Sequence, residues 1–403
     1  MEFGPIFRSL LRNRARVVLI VAEVALTLAI VANCMSLILD TRAELARESG
    51  FDDEHIVLIQ SNPFAEALNQ QETLNQLADR DLQTLRALPG VRAASNTLLA
   101  PWAQGGSITA VRLPGTRDEP MRTQFYTADP ATFDALGIPV VQGRGFTRDE
   151  YEHGADAAPP ETLPVVISKT LADAAFPDGK AVGRELAFAD ESQRLLIVGL
   201  IDRFHKPLGQ TSDRVMLTPA RTAGFDYGTA FLVRTEGDPG ALIPQMEKAL
   251  LGVEKGRFLR LRTVVDVRTE FQRRDRLLVA TLNGVMALLV LVTALGIVGL
   301  TSFSVAERRR QIGTRRALGA SKAAIVRQFL LENWMVTSLG VVLGAALAYG
   351  LNFGLVTWVA GARLSVLVVA AGAVGLWLIG VASALGPALR GAQVPPAIAT
   401  RNV

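Results

Sequence analysis

The chain has 403 residues, of which 49% are hydrophobic and 20% are charged, and its formal net charge at pH 7 is +4. This composition excludes a disordered chain and a protein that coats nucleic acid. A single cysteine, Cys34, excludes an intramolecular disulfide and a cysteine-based zinc site, and three histidines leave little for metal chemistry.

Four stretches of the chain are long, apolar and nearly free of charge. Each has roughly the 20 residues that a helix needs to cross a hydrocarbon core of about 30 Å. A buried helix in a soluble protein is rarely this long and this apolar. The stretches therefore predict four transmembrane helices, at residues 17–39, 277–304, 334–359 and 364–389.

The first stretch follows four arginines, as the apolar region of a secretory signal would. Its apolar run is too long for a signal peptide, however, and no small-x-small cleavage site closes it cleanly. We therefore predict an uncleaved membrane anchor that follows a short N-terminal segment, residues 1–16.

Residues 40–276 read as an ordinary globular domain of the α+β class. Apolar runs with strand character alternate with helical patterns, and the length suggests two subdomains. The first helix is expected to continue to residue 48. Strands are predicted at 55–59, 108–113, 163–167, 195–200, 215–218 and 231–234, and helices at 71–88, 130–136, 169–176 and 240–251.

The uneven distribution of charge predicts the orientation of the chain. Lys and Arg outnumber Asp and Glu outside residues 40–276, whereas Asp and Glu predominate within them. Basic residues beside short loops mark the cytoplasmic side of a membrane. This pattern predicts an inner-membrane protein with cytoplasmic termini, a cytoplasmic segment at 305–333, a cytoplasmic tail at 390–403, and residues 40–276 in the periplasm. The sequence pI of about 9.4 then reflects topology and anionic lipid, not nucleic acid.

Motifs for catalysis are absent from the 403 residues. No G-x-x-x-x-G-K-[ST], H-E-x-x-H or G-x-S-x-G occurs, so we predict no catalytic, cofactor or metal site and no enzyme activity in this chain. His205 lies near Asp202 in sequence, and we interpret it as a surface histidine. Residues 52–54 are interpreted as a solvated acidic run and not as a cation site.

Two polar side chains lie inside the predicted first span. Glu23 is two turns into it, where an ionisable group is costly and indicates function by default. Pairing with an arginine, a role in transmitting motion and a proton relay all remain open for it. Asn33 is expected to pack against a neighbouring helix. Small residues at four-residue spacing in the third span predict close helix packing, at Gly340, Gly344, Gly350 and Gly354.

The segment between the second and third spans, residues 305–333, is here named the elbow. A basic helix is expected to leave the membrane and end near Gly319 in a left-handed cap, after which Ser321 caps the next helix. The apolar tip at Ala317 and Leu318 is flanked by charge. From the residues alone, a partner-binding elbow and a basic loop that only fixes topology are equally compatible with this pattern.

The elbow resembles the signature of the FtsX-like permease domain, E-R-R-x-x-I-G-x-x-R-A-L-G-A-S followed by an apolar helix and a glutamate such as Glu332. Gln311 stands where the common pattern has an acidic residue. The middle of the chain resembles the MacB-type periplasmic core domain, in pieces such as Leu136-Gly137-Ile138-Pro139 and Ile197-Val198-Gly199-Leu200.

The resemblance implies a permease subunit of an ABC transporter that works as a homodimer or as a heterodimer with a homologous permease. ATP and Mg²⁺ would bind to a separate ATPase chain, whose motion the elbow transmits to the periplasmic domain. Efflux or extraction of a substrate from the periplasm or outer leaflet would follow, in some assemblies with a periplasmic adaptor and an outer-membrane duct. The alternative is a regulator of a periplasmic hydrolase or sensor that transports nothing. The residues that the resemblance assigns to coupling are Glu307, Arg308, Arg309, Ile312, Gly313, Arg315, Arg316, Ala317, Leu318, Gly319, Ala320 and Ser321.

Overall fold

The computed structural model describes residues 14–65, 70–97, 102, 107–153, 162–205, 213–221, 229–359 and 364–393, with the side chains of 16 and 355–359 excepted. The chain forms two compact units. One contains Met1–Leu45 and Asp275–Val403, and the other contains Ala46–Arg274.

The described elements begin and end with helices and have strands between them. In chain order they are α1 (Arg14–Leu45), β1 (Ile56–Pro63), α2 (Gln71–Arg86), β2 (Val91–Asn96), β3 (Ser107–Arg112), β4 (Met121–Ala128), α3 (Thr132–Leu136), β5 (Val140–Gly143), α4 (Arg148–His153), β6 (Thr162–Ser168), α5 (Lys169–Ala175), β7 (Glu185–Phe188), β8 (Arg194–Ile201), β9 (Val215–Pro219), β10 (Thr229–Thr235), α6 (Pro239–Val253), β11 (Arg257–Thr263), α7 (Val264–Glu307), α8 (Arg309–Ala317), α9 (Lys322–Val359) and α10 (Val366–Ala392).

A four-stranded antiparallel sheet of order β11-β1-β10-β2 carries α2 and α6 against one face. The leucines of α2 recur at helical spacing, so Leu74, Leu77 and Leu85 all enter this core. Asp81 of α2 and Arg257 of β11 form an ion pair that is almost completely buried. The pair ties the helix layer to an edge strand of the sheet.

The second sheet of the α+β unit has seven strands in the order β5-β8-β6-β9-β4-β3-β7. Strand β7 also pairs with β8, so six of these strands are joined in a ring. Two pairings, β4 with β9 and β6 with β8, are parallel, and the others are antiparallel. Alternate residues of β6, such as Val165 and Ile167, share a core with α5.

A third core packs the two sheets together. It includes Leu58 and Leu232 from the four-stranded sheet and Tyr126 and Leu217 from the seven-stranded one. A buried carboxylate at Asp129 crosses the same junction. Its Oδ1 accepts a hydrogen bond from Ser95 of β2 at 2.7 Å, and its Oδ2 accepts one from the Asn96 amide at 3.1 Å. Burial raises the pKa of Asp129 even though these hydrogen bonds and a third from Thr132 oppose the shift.

Two interpretations drawn from the sequence of this unit are wrong. His205 is not at the surface, because its side chain is buried and its Nδ1 lies 2.5 Å from Oδ1 of Asp213. The acidic run is not simply solvated, because Asp52 accepts hydrogen bonds from Arg234 and Asp53 accepts one from Arg268. The arginine partners of Asp52 and Asp53 come from distant parts of the chain, which local sequence does not reveal, whereas Asp213 lies only eight residues after His205.

Four helices, α1, α7, α9 and α10, are long and apolar enough to cross a membrane. The predicted architecture of four membrane helices with an α+β domain inserted between the first and second is therefore confirmed. Helix α1 packs against α9 and α10 through Val24, Leu28, Val341 and Leu376. It ends at Leu45, short of the predicted residue 48, and the chain turns there.

Helix α7 is the longest element described, with 44 residues and no proline. It begins at Val264, well before the predicted span, and the boundary between the two units falls inside it. Val264 and Val267 lie in the core of the α+β unit. Hydropathy identified only the apolar part of a helix that continues as a charged one.

Candidate functional site

The elbow is built from two helices with a break on either side of the first. Helix α7 ends at Glu307, Arg308 departs from helical backbone angles with φ −94° and ψ 11°, and α8 follows. The expected continuous basic helix is therefore divided in two. Gly319 then adopts φ +95°, a left-handed conformation that favours glycine. Oγ of Ser321 accepts a hydrogen bond from the amide of Ala324 at 3.2 Å and caps α9.

A buried ion pair fixes the first break. Nη1 of Arg308 donates to Oε2 of Glu332 at 2.9 Å, and the two side chains are 16% and 10% exposed. Glu332 belongs to α9, so the pair joins the end of α7 to the next membrane helix. A charge pair with so little exposure is costly to break from one side, because the remaining charge loses its partner.

Two further arginines anchor α8 to its neighbours. Nη1 of Arg315 donates to Oε1 of Gln328 at 2.6 Å, and Nη1 of Arg316 donates to the carbonyl oxygen of Ala392 at 2.9 Å. These bonds connect α8 to α9 and to the end of α10. Apolar packing supports them, in a cluster of Ile312, Ile325, Phe329, Ala388 and Ala392. The elbow is thus a folded substructure of the membrane unit.

The tip of the elbow is exposed although its base is packed. Leu318 is 83% exposed, and Ala317 and Gly319 beside it are exposed as well. A leucine in this state presents apolar surface that burial against another molecule would stabilise. The turn at Gly319 holds this side chain at the end of α8.

The structure divides the residues assigned to coupling into two groups. Ile312 and Gly313 are buried, Arg308 takes part in the ion pair, and Arg316 and Ala320 are half-buried. The exposed members are Glu307, Arg309, Arg315, Ala317, Leu318, Gly319 and Ser321. Only this second group could contact a partner without rearrangement of the elbow.

Glu23 lies against the backbone of α7 within the membrane unit. A Cβ placed on Gly296 would be 2.5 Å from its carboxylate oxygens, so a larger residue there would displace the end of the Glu23 side chain. Within the described part of the chain, no hydrogen bond or ion pair joins Glu23 to another residue. One turn further along α1, the hydroxyls of Thr27 and Thr293 are 2.8 Å apart and link α1 to α7.

Asn33 connects α1 to α9. Its Nδ2 donates to the carbonyl oxygens of Ala29 at 2.8 Å and Ala348 at 3.1 Å, and its Oδ1 accepts from Asn352 at 3.4 Å. Oδ1 of Asn352 in turn accepts from the amide of Leu364 at 3.0 Å. This polar chain spans two helices and the start of the segment before α10.

The four glycines of α9 fall into two different environments. A Cβ on Gly340 would lie 2.8 Å from Cβ of Val24, and one on Gly344 would lie 2.8 Å from the carbonyl oxygen of Ala25. Both therefore permit close approach of α1. Gly350 and Gly354 have no atom within 4 Å of such a Cβ. Neither position therefore shows the close approach to α1 that Gly340 and Gly344 show.

Besides Thr27, Thr293 and Asn352, two further polar residues in this unit escaped the sequence analysis. Gln328 accepts the hydrogen bond from Arg315, and Nδ2 of Asn333 donates to the carbonyl oxygen of Gly380 at 2.9 Å. Their signal was available, because each is a polar residue near or within an apolar helix. Among the residues that the structure describes, no group of three or more His, Cys, Asp or Glu side chains could hold a metal ion.

Four helices that are long and apolar enough to span a membrane, with an inserted α+β domain, define a multi-pass membrane protein. Residues 18–252 match the family described as MacB-like periplasmic core domain, and residues 283–396 match FtsX-like permease C-terminal. The first match alone covers more than half of the sequence. The chain belongs to the MacB-like ABC transporter permease family.

Curated relatives agree with this assignment. The chain is 29% identical over 221 residues to the macrolide export ATP-binding/permease protein MacB of Marinobacter nauticus, which covers 52% of this chain and 32% of the relative. It is 27% identical over 307 residues to the MacB of an Azoarcus species, covering 73% and 43%. It is 23% identical over 291 residues to the uncharacterized ABC transporter permease YvrN of Bacillus subtilis, covering 68% and 66%. The chain thus spans less than half the length of these MacB proteins.

Solved structures are similar to part of the chain. The periplasmic region of MacB from Actinobacillus actinomycetemcomitans has a TM-score of 0.37 at 13% identity and covers 57% of this chain and 98% of its own. The extracellular domain of the transporter YknZ from Gram-positive bacteria has a TM-score of 0.32 at 16% identity, covering 51% and 99%.

Proposed function

We propose that this chain is the permease subunit of an ABC transporter and transmits ATP-driven motion of a separate ATPase to its α+β domain. The transmitted motion drives efflux or extraction of a substrate from the periplasm or the outer leaflet. The observation that carries the proposal is the exposed Leu318 at the tip of an elbow whose base is fixed by buried contacts.

The tip has the properties of a docking element. Burying a leucine side chain stabilises a complex by about 1.5–3 kcal/mol, and Leu318 is available for such burial. Arg315 is exposed three residues before Leu318 and would meet acidic residues at the rim of a groove in the ATPase. A loop that only fixed topology would need basic residues but would not need a folded base.

Helix α7 supplies the transmitting element in this proposal. At the C-terminal end of α7, Arg308 forms the ion pair with Glu332. At its N-terminal end, Val264 and Val267 pack in a core of the α+β unit. Helix α7 contains no proline, so its backbone hydrogen bonds continue along its length and it resists bending. A displacement of the elbow would therefore reach the α+β unit.

The proposed assembly consists of this chain in a defined orientation, a second permease chain and an ATPase. Both termini and the elbow face the cytoplasm, and the α+β domain faces the periplasm, because the basic residues cluster at the elbow and the chain ends. A second permease chain completes the membrane part, and ATP and Mg²⁺ bind to the ATPase. The names of the relatives from Marinobacter and Azoarcus include macrolide export, which favours export over the regulatory alternative. A periplasmic adaptor and an outer-membrane duct would complete an export path.

The docking role is tested by Leu318→Asp, with Gln311→Asp as the matched control. Both changes add one negative charge to an exposed position of the same segment. Leu318→Asp should reduce both co-purification of the ATPase and coupled ATP turnover in nanodiscs by at least about tenfold. The reason is that it places an unpaired charge in an apolar contact. Gln311→Asp should retain both. Full complex and full activity in Leu318→Asp would contradict the proposal.

The orientation is tested separately by cysteine labelling in a Cys34→Ser background. Asp178 and Arg310 are exposed positions in the α+β domain and the elbow, respectively. A membrane-impermeant maleimide added to spheroplasts should label Asp178→Cys, and it should label Arg310→Cys only after the inner membrane is permeabilised. The reverse pattern would refute the proposed topology.

A further inference from the structure

Trp102 has a backbone conformation that tryptophan rarely adopts. Its φ is +59°, in the left-handed region, and in the described part of the chain Glu191 is the other non-glycine residue with a positive φ. Glu191 is exposed, whereas Trp102 is only 2% exposed. A bulky residue persists in this region only where its surroundings determine its conformation, and such residues concentrate at functional positions. The contacts of Trp102 therefore indicate its role.

The indole of Trp102 makes four contacts of different kinds. Its Nε1 donates a hydrogen bond to Oδ1 of Asp53 at 2.8 Å. The guanidinium carbon of Arg268 lies 5.1 Å from the ring centre, within the range of a cation–π interaction. The rings of Phe51 and Phe271 lie 6.3 Å and 6.0 Å from it, both tilted. The polar and the apolar parts of this side chain are thus both in contact.

The four contacting residues belong to the two connections of the α+β unit. Two come from residues 46–55, the non-helical segment between α1 and β1, here named the entry segment, and two come from the first eight residues of α7. Nη1 of Arg268 also donates to Oδ2 of Asp53 at 2.9 Å, so an ion pair joins the two connections directly. The side chain of Arg268 is 31% exposed, and an ion pair with such access to water contributes little by itself.

Trp102 contacts both members of this ion pair from outside either connection. It lies 49 residues after Asp53 in sequence, between β2 and β3. A buried indole N–H needs an acceptor, and the carboxylate of Asp53 supplies it. One side chain therefore combines a hydrogen bond to the entry segment with ring contacts to the entry segment and to α7. A phenylalanine at this position could make the ring contacts and could not make the hydrogen bond.

We propose that Trp102 is a positioning residue, which fixes the start of α7 to the entry segment so that the two connections of the α+β unit move together. A displacement carried along α7 then moves the entry segment with it and does not bend the helix in its first turns. The inference deepens the proposed transmission of motion and rests on it for its purpose. The attachment itself involves only residues of the α+β unit.

Distances between spin labels test the attachment in the full chain, in nanodiscs, in a Cys34→Ser background and without an ATPase. Lys248→Cys on α6 is the reference, paired once with Arg273→Cys on α7 and once with Glu48→Cys in the entry segment, and all three positions are exposed. Trp102→Ala should broaden both distance distributions about twofold, because a released segment samples positions that a packed one does not.

Two further variants separate positioning from general stability. Phe146→Ala removes another buried ring from the same core, and the ring partner of Phe146 is Phe133, outside both connections. It should lower the melting temperature much as Trp102→Ala does, yet leave both distributions narrow. Trp102→Phe keeps a ring without the N–H donor and should broaden both distributions to a smaller extent. This conservative variant also serves if Trp102→Ala folds poorly.

Three outcomes would overturn the proposal. Unchanged widths in Trp102→Ala would show that the connections are held without the indole. Equal broadening in Phe146→Ala would show general loosening of the core. Broadening of only one label pair would show that the two connections are held separately. Because no ATPase is present, each of these results leaves the proposed docking at Leu318 untouched, and a failure of that docking leaves this test intact.

Discussion

Nη1 of Arg308 lies 2.9 Å from Oε2 of Glu332, and this contact joins two helices across 24 residues of chain. Arg308 occupies the break between α7 and α8, so its backbone is the point where the elbow leaves the membrane helix. Because the pair is almost buried, its two charges depend on each other. The position of α8 relative to α9 is therefore set by this ion pair, the Arg315–Gln328 hydrogen bond and the apolar cluster around Ile312.

Removing one member of this pair should cost more than removing both. Arg308→Met or Glu332→Leu should each destabilise the membrane unit by about 3–5 kcal/mol, because each leaves one buried charge without its partner. Arg308→Met combined with Glu332→Leu should recover most of that loss. Thermal unfolding of the purified chain in detergent, analysed as a double-mutant cycle, measures the coupling. Additive single effects would show that the contact contributes nothing.

The left-handed turn at Gly319 should tolerate asparagine better than a branched residue. Gly319 has φ +95° and no neighbouring atom within 4 Å of an added Cβ, so its restriction is conformational and not steric crowding. Gly319→Val should displace the start of α9 and lower ATPase binding, whereas Gly319→Asn should have a smaller effect, since asparagine enters this region more readily. Spin-label distances between α8 and α9 would measure the displacement. Equal distances in both variants would contradict the expectation.

The small residues of α9 should differ in their sensitivity to enlargement. Gly344→Val places a methyl group into the backbone of α1 at Ala25, so it should destabilise the membrane unit by about 1–3 kcal/mol. Gly350→Val is the matched control on the same helix, because nothing lies within 4 Å of its added Cβ. Detergent-solubilised melting temperatures compare the two. A control variant that melts as low as Gly344→Val would reveal a partner at Gly350.

The stability of the α+β unit, residues 46–274, should fall in acid through Asp52. Burial would raise the pKa of this carboxyl, but hydrogen bonds and charges from His55 and Arg234 outweigh it and lower the pKa below its ordinary value. A lowered pKa in the folded state gives stability that is present above the unfolded pKa of about 3.9 and is lost as pH falls through the folded pKa. Denaturant unfolding between about pH 5 and pH 2 measures this loss.

Asp52→Asn should make the dependence of unfolding free energy on pH flatter between about pH 5 and pH 2. Arg234→Gln should have the same effect without changing any carboxyl group. Glu150, whose pKa is lowered chiefly by its hydrogen bonds with Arg144, contributes a slope of the same sign and remains as an internal reference. Profiles of unchanged slope in both variants would assign the acid sensitivity to other groups.

The membrane helices were predictable because a span of about 30 Å needs a long apolar run, and such runs are visible without knowledge of the fold. Strand prediction was less complete. Strands β2, β4 and β11 have the sequences VRAASN, MRTQFYTA and RFLRLRT, in which polar or basic residues interrupt the apolar pattern. Their pairing with neighbouring strands stabilises them, and that pairing is a tertiary property.

The residue types of the elbow could be anticipated, whereas its internal contacts could not. The turn at Gly319 and the cap at Ser321 depend on neighbours in sequence, and both are present. The contacts of Arg308, Arg315 and Arg316 depend on residues 13 to 76 positions away. Sequence alone therefore treated three arginines as one basic cluster, although each has a different partner.

The two connections between the compact units differ in kind. One is the non-helical segment after Leu45, and the other lies within α7. Proteases act on extended, accessible chain and cut helices poorly. Trypsin added to the folded protein should therefore cleave after Arg47, whose side chain is half exposed. The connection through α7 would remain intact. The α+β unit would therefore stay attached to the membrane helices after the first cut, and a soluble α+β unit would have to be produced by truncating the gene.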